Sequence, residues 1–88
     1  MYYTYVLQSK KDNKLYVGYT HDLQGRLEAH NNGRVTSTKD RRPLKYIYVE
    51  ACINKVDAMH RETYLKTYYG KAYLQKRLKS YFTGCKNS

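Results

Sequence analysis

The chain has 88 residues, 41% of them hydrophobic, which allows one domain around one modest core. Lys and Arg number 17 against 7 Asp and Glu, and the resulting net charge of +10 favours an anionic partner, nucleic acid ahead of a membrane. No stretch nears the roughly 18 apolar residues of a membrane span. The opening "MYYTYVLQSKK" has no basic region ahead of an apolar run, so an exported protein is not expected either.

"YYTYVLQS" sets Tyr3, Tyr5 and Leu7 against Thr4, Val6 and Gln8, and "LYVGYT" sets Leu15, Val17 and Tyr19 against Tyr16, Gly18 and Thr20. With the polar break "KKDNK" between them, these runs predict a β-hairpin. Gly18 inside a strand points to the close approach of another backbone or a ligand, or to a bulge. "HDLQGRLEAHNNG" reads as a helix. Thr20 and Asp22 are candidate N-caps, Leu23 and Leu27 form its buried stripe, and Gly33 is a left-handed C-cap. Gly25 costs that helix about 1 kcal/mol against Ala. "RVTSTKDRRP" is a basic loop without hydrophobic period, and "LKYIYVEAC" is the best strand of the chain. Asn54, with Asp57 three residues on, resembles a capping box. It opens a helix from about Lys55 to Tyr69 that Gly70 ends. "KAYLQKRLKSY" is a last helix with Leu74, Leu78 and Tyr81 on one stripe.

The order β-β-α-β-α-α implies one α+β domain over residues 1–88: a small three-stranded antiparallel sheet with flanking helices. Twelve Tyr, one Phe and no Trp place amphipathic rings at the edge of the core. Cys52 and Cys85 are too few and too far apart for a disulfide scaffold or zinc site, and reduced thiols in a cytoplasmic protein are expected.

Three placements call for chemistry. Arg26 and His30, four apart, share a helix face beside the leucine stripe, either as a snorkelling Arg and a capping His or as parts of a site. Glu62 falls on the stripe Ala58, Glu62, Leu65, Tyr69, where a carboxylate needs a salt bridge or a metal. Tyr5 and Tyr16 can meet on neighbouring strands, either as packing rings or as site groups.

Taken in order, these residues resemble the GIY-YIG nuclease superfamily, and more closely the small stand-alone bacterial proteins related to the UvrC N-terminal nuclease domain. "YTY" at Tyr3-Thr4-Tyr5 stands for the first motif and "YVG" at Tyr16-Val17-Gly18 for the second. "YT-DL--RL--HN" (Tyr19 to Asn31), "TK--RP" (Thr38 to Pro43) and "A---E--LK" (Ala58 to Lys66) follow in register, so the likeness spans roughly residues 2–80. Tyr3 stands where the family often has Gly, Tyr19 where some members carry Lys, and His30 where UvrC-type domains carry Tyr.

The resemblance implies a metal-dependent DNA endonuclease, structure- or strand-selective, in DNA repair or processing. It assigns water activation to Tyr16 and orientation of water or phosphate to Tyr5. It makes Arg26 the catalytic arginine and Glu62 the metal ligand, and puts His30 beside the scissile phosphate. Mg²⁺ or Mn²⁺ can be held by one carboxylate with waters and a substrate phosphate, and Arg26 can fork onto phosphoryl oxygens. Tyr16 is the first candidate for the base and His30 the second. Arg34, Lys39, Arg41, Arg42 and Lys45 around the long loop, with Lys71, Lys76, Arg77 and Lys79 near the C-terminus, are expected to contact phosphates. DNA ranks above RNA as partner, with no membrane and room for a protein partner that supplies specificity. The rival reading is a non-enzymatic nucleic-acid-binding module on the same fold.

Overall fold

The structure is a computed structural model and describes residues 1–84. The elements run β1 (Tyr2–Ser9), β2 (Leu15–Thr20), α1 (Leu23–Asn31), a 3-10 turn (Lys39–Arg41), β3 (Leu44–Cys52), α2 (Lys55–Leu65), α3 (Tyr68–Arg77) and α4 (Lys79–Phe82). The strands form the three-stranded antiparallel sheet that the sequence predicts, in the spatial order β2-β1-β3.

β1 is the central strand, so both of its faces are covered. Thr4, Tyr5, Val6 and Leu7 are all buried, and the alternation decides which layer each joins. Tyr5 and Leu7 pack with Leu44 against Tyr16, Tyr46 and the α1 leucines Leu23 and Leu27. Val6 packs with Leu65 of α2 and Leu74 of α3 on the other face. The β1–β3 register slips at Val6/Leu7, which face Tyr48 and Tyr46, leaving Ile47 as the extra residue of a bulge.

Polar anchors fix the helices on this sheet. The Asn31 amide donates to Leu44 O (3.0 Å) and accepts from Leu44 N (2.8 Å), clasping the end of α1 to the start of β3. The Tyr46 hydroxyl donates to Leu23 O at 2.6 Å. Across the sheet, the buried Thr4 hydroxyl donates to Ala58 O of α2 (3.0 Å). Arg61 forks onto Glu50 of β3 at 2.8 and 2.9 Å. Partial burial alone would raise the Glu50 pKa, but the Arg61 fork and the Tyr48 hydroxyl bring it below its ordinary value.

The predicted caps on α1 and α2 form. Asp22 accepts from Gly25 N, Asn54 accepts from Val56 N and Asp57 N, and Gly33 is left-handed at φ +77°. The C-terminal helices differ from expectation. α2 ends at Leu65, and Gly70 does not break it. Thr67 instead caps a new helix by accepting from Gly70 N at 3.1 Å. Gly70 is buried in the first turn of α3, where a Cβ would lie 2.0 Å from Tyr64 O and 2.5 Å from Leu65 Cα. The glycine therefore serves helix-to-helix approach. Tyr69 leaves the Ala58–Leu65 stripe and is 73% exposed. The last helix is also split at Leu78, with Leu74 buried and Tyr81 at the surface, its hydroxyl bonded to Gln8. The basic loop carries the unforeseen 3-10 turn. Cys52 is a free thiol, and Cys85 lies outside the described residues.

Candidate active site

β2 is an edge strand, so a groove can wrap it and reach both faces of the sheet. A cavity of about 800 Å³ does so. Tyr5, Tyr16, Arg26 and His30 line it from the α1 side, and Glu62, Lys66 and Lys71 from the α2–α3 side. All five residues to which the resemblance assigns catalytic roles border this one space.

Tyr5 is the hub. It pairs across the strands with Gly18, and its ring lies where a Gly18 side chain would be. A Cβ there would stand 2.3 Å from Tyr5 Oη and 2.5 Å from its Cζ. The close approach expected at Gly18 is thus a neighbouring phenol, not backbone or ligand. Arg26 Nε donates to Tyr5 Oη at 3.1 Å. His30 Nε2 lies 3.2 Å from the same oxygen, with the two rings edge to face. Thr38 Oγ1 is 2.7 Å from His30 Nδ1.

His30 is therefore not a surface cap. It is 4% exposed, and burial, with the Arg26 charge beside it, pushes its pKa down to about 4. At neutral pH it is an uncharged imidazole with both nitrogens engaged. Tyr16, half-buried beside this cluster, has no protein hydrogen-bond partner for its hydroxyl among the described residues, which leaves that group to face the cavity's occupant.

Glu62 projects from α2 into the groove and is its one lining carboxylate among the described residues. Lys66, one turn on, holds Glu62 Oε2 at 2.9 Å. The described residues contain no group of three or more His, Cys, Asp or Glu that could enclose a metal. A cation here would rest on Glu62 alone, with water and a ligand's oxygens. That donor set suits Mg²⁺, which keeps much of its hydration shell.

The predicted phosphate contacts divide. Lys71 lines the groove. Arg34, Lys39, Lys45, Lys76 and Arg77 are exposed outside it, with Lys45 over the Tyr81 ring at 5.2 Å. Arg41 is paired with Asp12 at 3.1 Å, and Arg42 Nε donates to Lys39 O at 2.6 Å. Lys14 and Lys66 line the groove and were not foreseen, nor was Thr38 as the partner of His30. The i, i+4 spacing of Glu62 and Lys66 was the available signal for that pair; Thr38 was marked only as the first residue of the "TK--RP" stretch, without a role.

The GIY-YIG catalytic domain family matches residues 1–73. A UPF0213 protein of Clostridium perfringens is 45% identical over 67 residues, covering 75% of this chain and 71% of that protein. The UPF0213 protein YazA of Bacillus subtilis is 38% identical over 88 residues, covering 99% of this chain and 83% of the relative. The solution NMR structure of a UPF0213 protein from Bacillus halodurans superposes with a TM-score of 0.51 at 32% identity, covering 84% of this chain and 82% of that one. The three-stranded α+β fold is thus met again in a small bacterial protein. The chain belongs to the GIY-YIG family.

Proposed function

We propose that the protein is a divalent-metal-dependent endonuclease that hydrolyses DNA phosphodiesters with structure or strand selectivity. The observation that carries this reading is convergence. Tyr5, Tyr16, Arg26, His30 and Glu62 come from β1, β2, α1 and α2 and line one groove.

Each group has a chemical task. Arg26 uses Nε to hold Tyr5, and the rest of its guanidinium is available to phosphoryl oxygens as negative charge builds. Tyr5, held between Arg26 and His30, orients the phosphate or the attacking water. Tyr16 is the first candidate to accept the water's proton. To take that proton Tyr16 must act as the phenolate, whose negative charge Arg26, in the same cavity, would stabilise. His30 is the weaker base, because its pKa is low and both ring nitrogens are occupied. Glu62 would hold Mg²⁺ or Mn²⁺ once Lys66 is displaced. Such an ion supplies Lewis-acid and templating chemistry. Lys14, Lys66 and Lys71 give the groove positive charge for a phosphate backbone.

One observation favours the rival, a binding module without turnover: the groove carboxylate is already neutralised by Lys66. A cleavage time course decides between them. Duplex, single-stranded and branched DNA are incubated with Mg²⁺, Mn²⁺ or chelator, with Glu62→Gln and Arg26→Ala alongside. Metal-dependent products lost in both variants support the nuclease. DNA bound equally by wild type and Glu62→Gln, and cut by neither, supports the module.

A further inference from the structure

We propose that Thr38 is a positioning residue that fixes His30 as its Nε2–H tautomer, so that the imidazole donates to Tyr5 and the Tyr5 hydroxyl is aimed into the groove. Buried protons and the lengths of their hydrogen bonds fix the tautomer. Thr38 is 1% exposed, and among the described residues its hydroxyl has one hydrogen-bond partner, His30 Nδ1 at 2.7 Å. A buried hydroxyl proton without an acceptor is costly. If Nδ1 carried a proton, Thr38 could only accept and Tyr5 would donate to Nε2, but the 2.7 Å separation at Thr38 is that of a donating hydroxyl and the 3.2 Å at Tyr5 that of a donating ring N–H. With Nδ1 bare, Thr38 donates to it, and the one remaining imidazole proton sits on Nε2.

That proton faces Tyr5 Oη at 3.2 Å. Arg26 Nε, an obligate donor, reaches the same oxygen at 3.1 Å. Two donors then fill the lone pairs of one phenol oxygen. The Tyr5 proton must leave in the remaining direction, toward the groove that Tyr5 lines. The chain runs one way: Thr38 to His30, His30 to Tyr5, Tyr5 to whatever oxygen occupies the cavity. Tyr5 is thereby a donor to the occupant, and His30 is a donor in turn rather than a free base.

The tautomer stands independently of the nuclease reading, while its consequence for turnover rests on that reading. The test therefore begins with long-range proton–nitrogen NMR of the His30 ring, which needs no substrate. Wild type and Thr38→Ser are expected to show the Nε2–H form. In Thr38→Val, of matching shape without the hydroxyl, the population should move several-fold toward Nδ1–H. An Nδ1–H signal in wild type overturns the proposal, and so does an unchanged Nε2–H signal in Thr38→Val. If Thr38→Val does not fold, the wild-type and Thr38→Ser spectra still decide the tautomer. On a DNA that the wild type cuts, kcat should drop about tenfold or more in Thr38→Val with KM within about twofold, and recover in Thr38→Ser. Full kcat in a folded Thr38→Val refutes the catalytic consequence. Failure of the wild type to cut any DNA counts against the nuclease reading and leaves the tautomer result untouched.

Discussion

Gly18→Ala tests the geometry of the site through folding alone. The new methyl would meet Tyr5 Oη at 2.3 Å and Cζ at 2.5 Å, both inside van der Waals contact. Tyr5 cannot simply swing away. It is 2% exposed, sits on the central strand and packs with Leu7 and Leu44. Overpacking of this kind costs about 1–3 kcal/mol. Displacing the phenol also strains its bonds to Arg26 and His30, worth about 1 kcal/mol each. A total near 3 kcal/mol predicts a fall in Tm of about 12–24 °C for a domain of this size. Urea and thermal unfolding followed by circular dichroism measure it. The double variant Gly18→Ala, Tyr5→Phe isolates the cause, because losing Oη removes the nearest clashing atom. The two changes should cost at least about 0.5 kcal/mol less together than the sum of each alone. Stability of Gly18→Ala within about 0.5 kcal/mol of wild type would refute the close approach, and additive costs would place the strain elsewhere.

Gly70→Ala should destabilise by about 1–3 kcal/mol despite the better helix propensity of Ala, because its Cβ meets the backbone of Tyr64 and Leu65; a gain in urea midpoint would contradict this. His30 makes stability depend on pH. Its folded pKa of about 4 lies below the ordinary 6.5, so the unfolded chain binds more protons between these values. The contribution is full above pH 6.5 and is lost as pH falls toward 4, by up to about 3 kcal/mol. His30→Gln should flatten that slope in unfolding curves taken across the window. Arg61→Ala should cost about 1–2 kcal/mol, through the Glu50 fork and the faces of Tyr64 and Tyr73 that the guanidinium covers. Equal stability of Arg61→Ala and wild type in urea would remove that anchor from the account.

What the sequence disclosed depended on how local the cause was. Strand alternation predicted the two faces of β1, and the i, i+4 spacing of Arg26 and His30 put them on one side of α1, since both follow from backbone period. Caps at Asp22 and Asn54 were visible for the same reason. Gly70 misled because a glycine after a helical run looks alike whether it ends that helix or lets the next one close upon it. Only the contact with Tyr64 O distinguishes the two, and that contact is tertiary. The basic positions misled differently. Composition counts charges but does not say that Arg41 is taken by Asp12 or that Lys66 lies against Glu62 in the groove. Thr38 stood out only as the start of "TK--RP"; its bond to His30 is tertiary, and a hydroxyl in a polar loop carries no period that would announce it.

The site and the core share residues, and chain length explains why. A chain of 88 residues has too little interior to keep a hydrophobic centre apart from a functional one. Tyr5 belongs to both: its ring fills the α1-side core, and its hydroxyl gathers Arg26 and His30 at the groove. Thr38 and His30 are likewise buried as deeply as the leucines, yet their polar atoms point along one chain of hydrogen bonds. Burial makes each unmade hydrogen bond expensive, so the same low-dielectric surroundings that risk stability also hold the groups in one arrangement. It follows that substitutions along this chain should change stability and site geometry together. Glu62, half-buried, and Lys66, exposed, stand at the rim of the groove outside that chain and should be separable from the fold. Glu62→Gln is therefore the variant in which loss of chemistry can be read without loss of structure, and its stability should stay within about 0.5 kcal/mol of wild type, since the substitution keeps the side chain's shape and the lost pair is an i, i+4 pair whose lysine is exposed.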